Sequence, residues 1–285
     1  MNQILKVLII CLVFVMTASF AAAEALDLSV LGDIEEAQMV AEGDAWTYPI
    51  PYHLLITSDY IHLVNRERLL DEDYVPEDLL DDLKCRKVSY DPIQMRETAA
   101  NALYTLFDAA QEDGIYLYAH SGYRSYRTQK TMYYRRLESR GHDDGIVQYP
   151  GASEHQSGLA IDVINKSGIG KNFTNDAFSN SKEGKWLAEN CWDYGFIIRY
   201  QEDKEDITGI GYESWHIRYV GVQVAQYMRD AHLSLEEFTE EWEAAAAAFE
   251  GASVSEMSFI LIRFVCFLVT LIHRAQPFRI LSKRL

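Results

Sequence analysis

His155 and Asp162 lie seven residues apart in GASEHQSGLAIDV (151–163), and Glu213 and His216 lie three apart in YESWHIRY (212–219). A catalytic zinc takes three protein ligands from His, Asp, Glu or Cys and keeps a fourth position for water, whose pKa it lowers to about 7. His155, Asp162 and His216 supply such a set for one zinc ion, and Glu213 is left over. Hydrolysis of an amide needs a base that takes a proton from water and later delivers it to the leaving nitrogen. Glu213 is the candidate for that work.

Each pair makes a demand on the backbone. Residues 155 and 162 do not share a face of a helix, so a loop returning through Gly158 must bring them together. Glu213 and His216 would point to opposite sides of an ideal strand, so a turn at Ser214 and Trp215 is required to aim both into one cleft. Trp215 and Tyr212, on either side of the base, are candidates for the cleft wall. Arg124 follows Gly122 at a junction between a strand and a helix. A guanidinium there offers paired donors to a substrate carboxylate or a developing oxyanion. No SxxK or GxSxG motif supports a serine nucleophile at Ser153.

In order along the chain, SGYRSYRTQ (121–129), SEH (153–155), GLAID (158–162), GFIIRY (195–200) and YESWHIRYVG (212–221) resemble the VanY-type D-alanyl-D-alanine carboxypeptidases. That family of bacterial cell-wall metallopeptidases includes related L,D-carboxypeptidases. A looser similarity upstream, in LVNRERLLDEDYVPEDL (63–79), extends the resemblance to about residues 50 to 235. The resemblance implies zinc on His155, Asp162 and His216, Glu213 as catalytic base, and Arg124 at the substrate and oxyanion. It also implies that Ser153 and Gln129 help to hold the terminal carboxylate; Trp215, by its place beside the base, is a further candidate for contact with the substrate. The implied partner is a peptidoglycan stem peptide losing its C-terminal D-alanine. L,D-carboxypeptidase or endopeptidase action on the same peptides, or a wall-binding module with structural zinc, are the alternatives.

The elements that must position these groups read as α+β, an antiparallel sheet with helices packed around it and the zinc in a cleft at the sheet. Strands are expected at YHLLIT (52–57), CRKVSY (85–90), IYLYAHSG (115–122), LAIDVI (159–164), FIIRY (196–200) and within YESWHIRYV (212–220). Asp91 and Pro92 form a cap and first-turn pair for a helix that carries apolar residues from Ile93 to Ala110 and stops at Gly114. Ser125 caps a second helix that Gly141 ends. A helix runs over EGKWLAENCWDYG (183–195), and two more start at Val222 and Leu235.

Domain organisation follows from composition. Residues 1–23 hold Lys6, an apolar run and an alanine-rich end, which reads as a signal peptide. Ile10 before Cys11 does not suit lipid attachment. Residues 24–47 form an acidic linker, and the zinc carboxypeptidase domain covers 48–250. Residues 257–273 read as a transmembrane anchor in which Arg263 can snorkel, followed by a basic cytoplasmic tail, 274–285. The enzyme is therefore expected to be exported and held at the extracellular face of the membrane or in the wall. All 43 acidic residues but only 20 of the 26 basic ones fall between residues 24 and 256, which excludes nucleic acid as a partner. Cys85 and Cys191 are read as free thiols in the folded region, although export permits a disulfide.

Overall fold

The computed structural model describes residues 46–88, 90–169 and 175–249. The expected signal peptide and membrane anchor lie outside those residues. Among the described residues no helix is long and apolar enough to cross a membrane.

Four strands form one antiparallel sheet: β1 (Leu117–Ser121), β2 (Ala160–Asn165), β3 (Phe196–Ile198) and β4 (His216–Tyr219), in the order β1-β2-β4-β3. The helices are α1 (Tyr52–Thr57), α2 (Glu97–Glu112), α3 (Tyr126–Arg140), α4 (Asn175–Ser179), α5 (Lys182–Asn190), α6 (Glu205–Thr208), α7 (Val222–Ala231) and α8 (235–249). This is the expected α+β arrangement. Ala99, Ala100, Leu103, Leu106, Phe107 and Ala110 make the buried stripe of α2, which packs on β1 and on the 3-10 turn Cys191–Tyr194. Helix α5 packs on β2, and α7 on β3. Ile161, Val163 and Ile217 are fully buried, and the alternation of a strand sends Asp162, His216 and Arg218 to the other face.

Three expected elements differ. YHLLIT is a helix, not a strand: Leu54 and Leu55 donate to the Pro51 carbonyl at 3.1 and 3.4 Å, and only Leu55 is buried. A six-residue apolar run cannot be divided between the two periods by pattern alone. CRKVSY contributes one parallel bridge, Lys87 to Ala119, at the free edge of β1 rather than a full strand. Helix α2 begins at Glu97, not at Asp91–Pro92, because the backbone before it is spent elsewhere. Leu80 and Leu83 donate to the carbonyls of Met95 and Ile93, and the Ile93 amide donates to Asp82 Oδ1. Residues 93–96 thus run extended, with Ile93 and Met95 buried.

The second expected helix is as the caps demand. Ser125 Oγ accepts from the Thr128 amide, and Gly141 takes the left-handed conformation at φ 76°. Cys85 and Cys191 are free thiols.

Candidate active site

Sheet register sets the centre of the site. His216 on β4 pairs with Asp162 on β2, and Asp162 pairs on its other side with Ser121 of β1. An irregularity between Ala119 and Ser121 puts Ser121, not His120, opposite Asp162. Ser121, Asp162 and His216 therefore form one cross-strand row.

His155 enters from a 3-10 turn, Glu154–Ser157, that ends on Gly158 at φ 70°. A side chain at Gly158 would press on Leu79 and Arg96, and its amide closes the turn on the His155 carbonyl at 3.2 Å. His155 Nδ1 lies 2.8 Å from the Gly122 carbonyl, which makes that nitrogen the N–H donor and leaves Nε2 as the lone-pair nitrogen. His155 Nε2 is 3.5 Å from Asp162 Oδ1, and His216 Nδ1 is 3.2 Å from the same oxygen. Donors bound at ~2.0–2.1 Å to one tetrahedral ion lie roughly 3.3 Å from each other. Among the described residues His155, Asp162 and His216 form the group whose donor atoms, all within 4.8 Å of one another, could hold a metal ion. The residues present fit the ion.

The turn demanded at Ser214 and Trp215 is there, closed by the His216 amide on the Glu213 carbonyl at 3.2 Å. It brings Glu213 Oε2 to 3.7 Å from His216 Nδ1. Burial pushes the Glu213 carboxyl up to about 7, with the neighbouring Asp162 charge adding to it against the pull of His216 and Arg124. Burial also opposes charge on Asp162, yet His155 and His216 hold its carboxyl well below the usual carboxylate range. His155 is lowered, chiefly by burial. Burial works against His216 as well, but its contacts with Asp162 and Glu154 raise it to about 9.

Arg124 lies beside this centre. Its Nη1 donates to Gln129 Oε1 at 2.9 Å and its Nη2 to Ser121 Oγ at 3.0 Å, while its amide donates to the His155 carbonyl. Gln129 is buried and spends its NH2 group on the Gln148 carbonyl at 2.6 Å. The visible work of Gln129 is thus to hold Arg124. Ser153 is buried and, with Trp215, lines the same pocket.

That pocket has a volume of about 180 Å³ and also receives Met132, Ile146 and Val147. The last two belong to the loop after α3, which ion pairs clamp at its start. Arg66 reaches Asp143 at 2.9 Å and Gln148 Oε1 at 3.3 Å, and Arg136 reaches Asp144 at 2.6 Å. Arg124 and the group formed by His155, Asp162 and His216 thus open on one small cavity of mixed polar and apolar lining.

Sequence reasoning passed over four charged groups under this floor: Glu154, Arg199, Arg218 and Glu236, all buried. The signal was present as an arginine inside each of two apolar runs, FIIRY and HIRYV.

Comparison with known proteins supplies the family. A family model described as VanY, D-alanyl-D-alanine carboxypeptidase, matches residues 92–222. The LdcB LD-carboxypeptidase structure superposes with a TM-score of 0.59 at 43% identity, covering 62% of this chain and 84% of that one. The chain belongs to the VanY-type carboxypeptidase family. A second member, a glutamate-to-alanine mutant of the vancomycin-resistance D,D-pentapeptidase VanY in complex with Zn(II), is 31% identical with a TM-score of 0.50, over 63% of this chain and 98% of that one. YodJ of Bacillus subtilis is 44% identical over 184 residues, 62% of this chain and 66% of YodJ. The chain spans less than two thirds of the length of the curated VanY-type relatives it matches.

Proposed function

We propose that this protein is a zinc-dependent carboxypeptidase that removes the C-terminal D-alanine from peptidoglycan stem peptides. The observation that carries the reading is a half-buried cation, Arg124, lining the same small pocket as two histidines and an aspartate whose donors lie within 4.8 Å. The cavity, about 180 Å³, sets Ile146, Val147 and Trp215 beside its polar groups, which suits a small terminal residue bearing a free carboxylate.

His155 Nε2, Asp162 and His216 Nδ1 would hold the ion. Bound there, a zinc ion lowers the pKa of water and polarises a carbonyl oxygen. Glu213 takes the proton that the attacking water loses and delivers it to the amide nitrogen as the C–N bond breaks. A carboxyl raised to about 7 is matched to both halves of that transfer near neutral pH. Arg124, with two of its N–H groups fixed by Gln129 and Ser121, keeps further donors for the terminal carboxylate and the oxyanion of the tetrahedral intermediate. The leader-like residues 1–23 and the apolar residues 257–273 support work outside the cytoplasmic membrane.

L,D specificity is the second reading, favoured by the higher identity to the LD-carboxypeptidase LdcB, 43% against 31% for the D,D-pentapeptidase. Product analysis decides. Purified protein is incubated with a pentapeptide ending in D-Ala-D-Ala and with the corresponding tetrapeptide, with and without chelator. Release of D-alanine from the pentapeptide alone supports the D,D reading, and release from the tetrapeptide supports the L,D reading. Peptide binding with no alanine released from either would overturn both in favour of a wall-binding module.

A further inference from the structure

Four side-chain polar atoms among the described residues are buried without a hydrogen-bond partner, and two of them face each other: Glu154 Oε2 and His216 Nε2, 3.6 Å apart. The distance is just beyond hydrogen-bond length. On the ring's other edge His216 Nδ1 faces Asp162. The rings of Tyr200 and His155 pack against the imidazole at 5.1 and 5.0 Å, so Glu154 is the carboxylate at its Nε2 edge.

Glu154 itself is 1% exposed and tightly held. Its Oε1 accepts from Arg199 Nε at 2.8 Å and from Arg218 Nη1 at 2.7 Å. Arg199 in turn makes a pair of parallel hydrogen bonds to Glu236 at 2.7 and 2.8 Å, tying the group to the first turn of α8. Arg218 Nη2 donates to the carbonyls of Tyr60 and His62. Four buried charges are an expensive way to fill a core, since well-packed apolar residues often serve stability equally well. The arrangement leaves one carboxylate oxygen free, and that oxygen points at the candidate metal ligand.

We infer that Glu154 is a positioning residue: its free oxygen receives Nε2–H of His216, fixes that tautomer and turns the Nδ1 lone pair toward the metal, while Arg199 and Arg218 hold the carboxylate in place. His155 is fixed in the opposite sense, through Nδ1–H on the Gly122 carbonyl. The two ligands would then bind through different nitrogens, each oriented by an acceptor behind it. This inference rests on the metal-centre reading above.

The test uses Zn(II) and Co(II) on the full chain. Glu154→Gln is expected to lower Zn(II) affinity by about 10–100-fold, measured by competition with a chelator, and to shift the visible absorption of the Co(II) form. Glu154→Asp should recover part of both. Unchanged affinity and an unchanged Co(II) spectrum in a folded Glu154→Gln protein overturn the inference while leaving the metal centre standing. Failure of the unsubstituted protein to bind Zn(II) overturns both together. Because the variant removes a partner from two buried arginines and can fail to fold, nitrogen-15 imidazole NMR of the unsubstituted, Zn(II)-loaded protein provides an independent measurement. A protonated Nε2 with a metal-bound Nδ1 on His216 supports the inference, and the reverse tautomer sinks it.

Discussion

Asp162 and His216 stand opposite each other on the paired strands β2 and β4, and their side chains meet with Nδ1 3.2 Å from Oδ1. Burial works against charge on that imidazole, but Asp162, Glu154 and Glu213 raise it to about 9. A metal must displace the proton it retains. Zn(II) affinity should therefore climb by about tenfold per pH unit below pH ~9 where one proton is exchanged, which competition titrations between pH 6 and 8 will show. The folded value lies above the unfolded one, so the stabilising contribution is full below pH ~6.5 and is lost as pH rises through about 9. Thermal melts of chelated protein should accordingly fall toward alkaline pH.

Glu213 lies 3.7 Å from the same nitrogen but belongs to the turn before β4 and is not one of the three grouped donors. Glu213→Gln should keep metal content at the level of the unsubstituted protein and slow alanine release by roughly 10²–10⁴-fold. Metal analysis and turnover are measured on the same sample, and undiminished turnover would remove the base from Glu213.

Arg124 depends on Gln129 for its orientation. Arg124→Ala should lower kcat by about 10²–10³-fold, the usual cost of one oxyanion donor. Gln129→Ala should cost less and should act through Arg124. In the Arg124→Ala background it should therefore add little. Steady-state kinetics of the double-mutant cycle read the coupling directly, and additive losses would separate the two residues.

Gly122 admits no side chain, since a Cβ there would overlap the Gln94 carbonyl oxygen, to which the Tyr123 amide donates at 2.7 Å. Its own carbonyl is the acceptor for His155 Nδ1. Gly122→Ala should destabilise the fold by about 1–3 kcal/mol, as overpacking does, and should weaken Zn(II) binding as well. Denaturant unfolding and metal competition would each register the change.

The parts of the fold that sequence revealed are those with local causes. Ser125 and Gly141 bracket α3 because a hydroxyl and a left-handed glycine satisfy helix ends by themselves. The turn at Ser214 and Trp215 was legible because two side chains three apart on a strand cannot otherwise face one cleft. Where tertiary pairing decided, local signals misled. Asp91 and Pro92 look like a helix start, but Leu80 and Leu83 claim the carbonyls at Met95 and Ile93 and draw the chain out. The same holds at the site: His155, Asp162, Glu213 and His216 announced themselves by type and spacing. Glu154 did not, since its meaning depends on Arg199 and Arg218, 45 and 64 residues away.

Asp162 and His216 sit on paired strands and His155 and Glu213 on tight turns, whereas Ile146 and Val147 reach the cavity from a loop that Arg66 and Arg136 clamp. Part of the cavity wall is thereby built by a stretch of chain that carries none of the three grouped donors. Changing the side chains at Ile146 and Val147 would therefore alter the shape of the cavity while the strands β2 and β4, which hold Asp162 and His216, stay as they are.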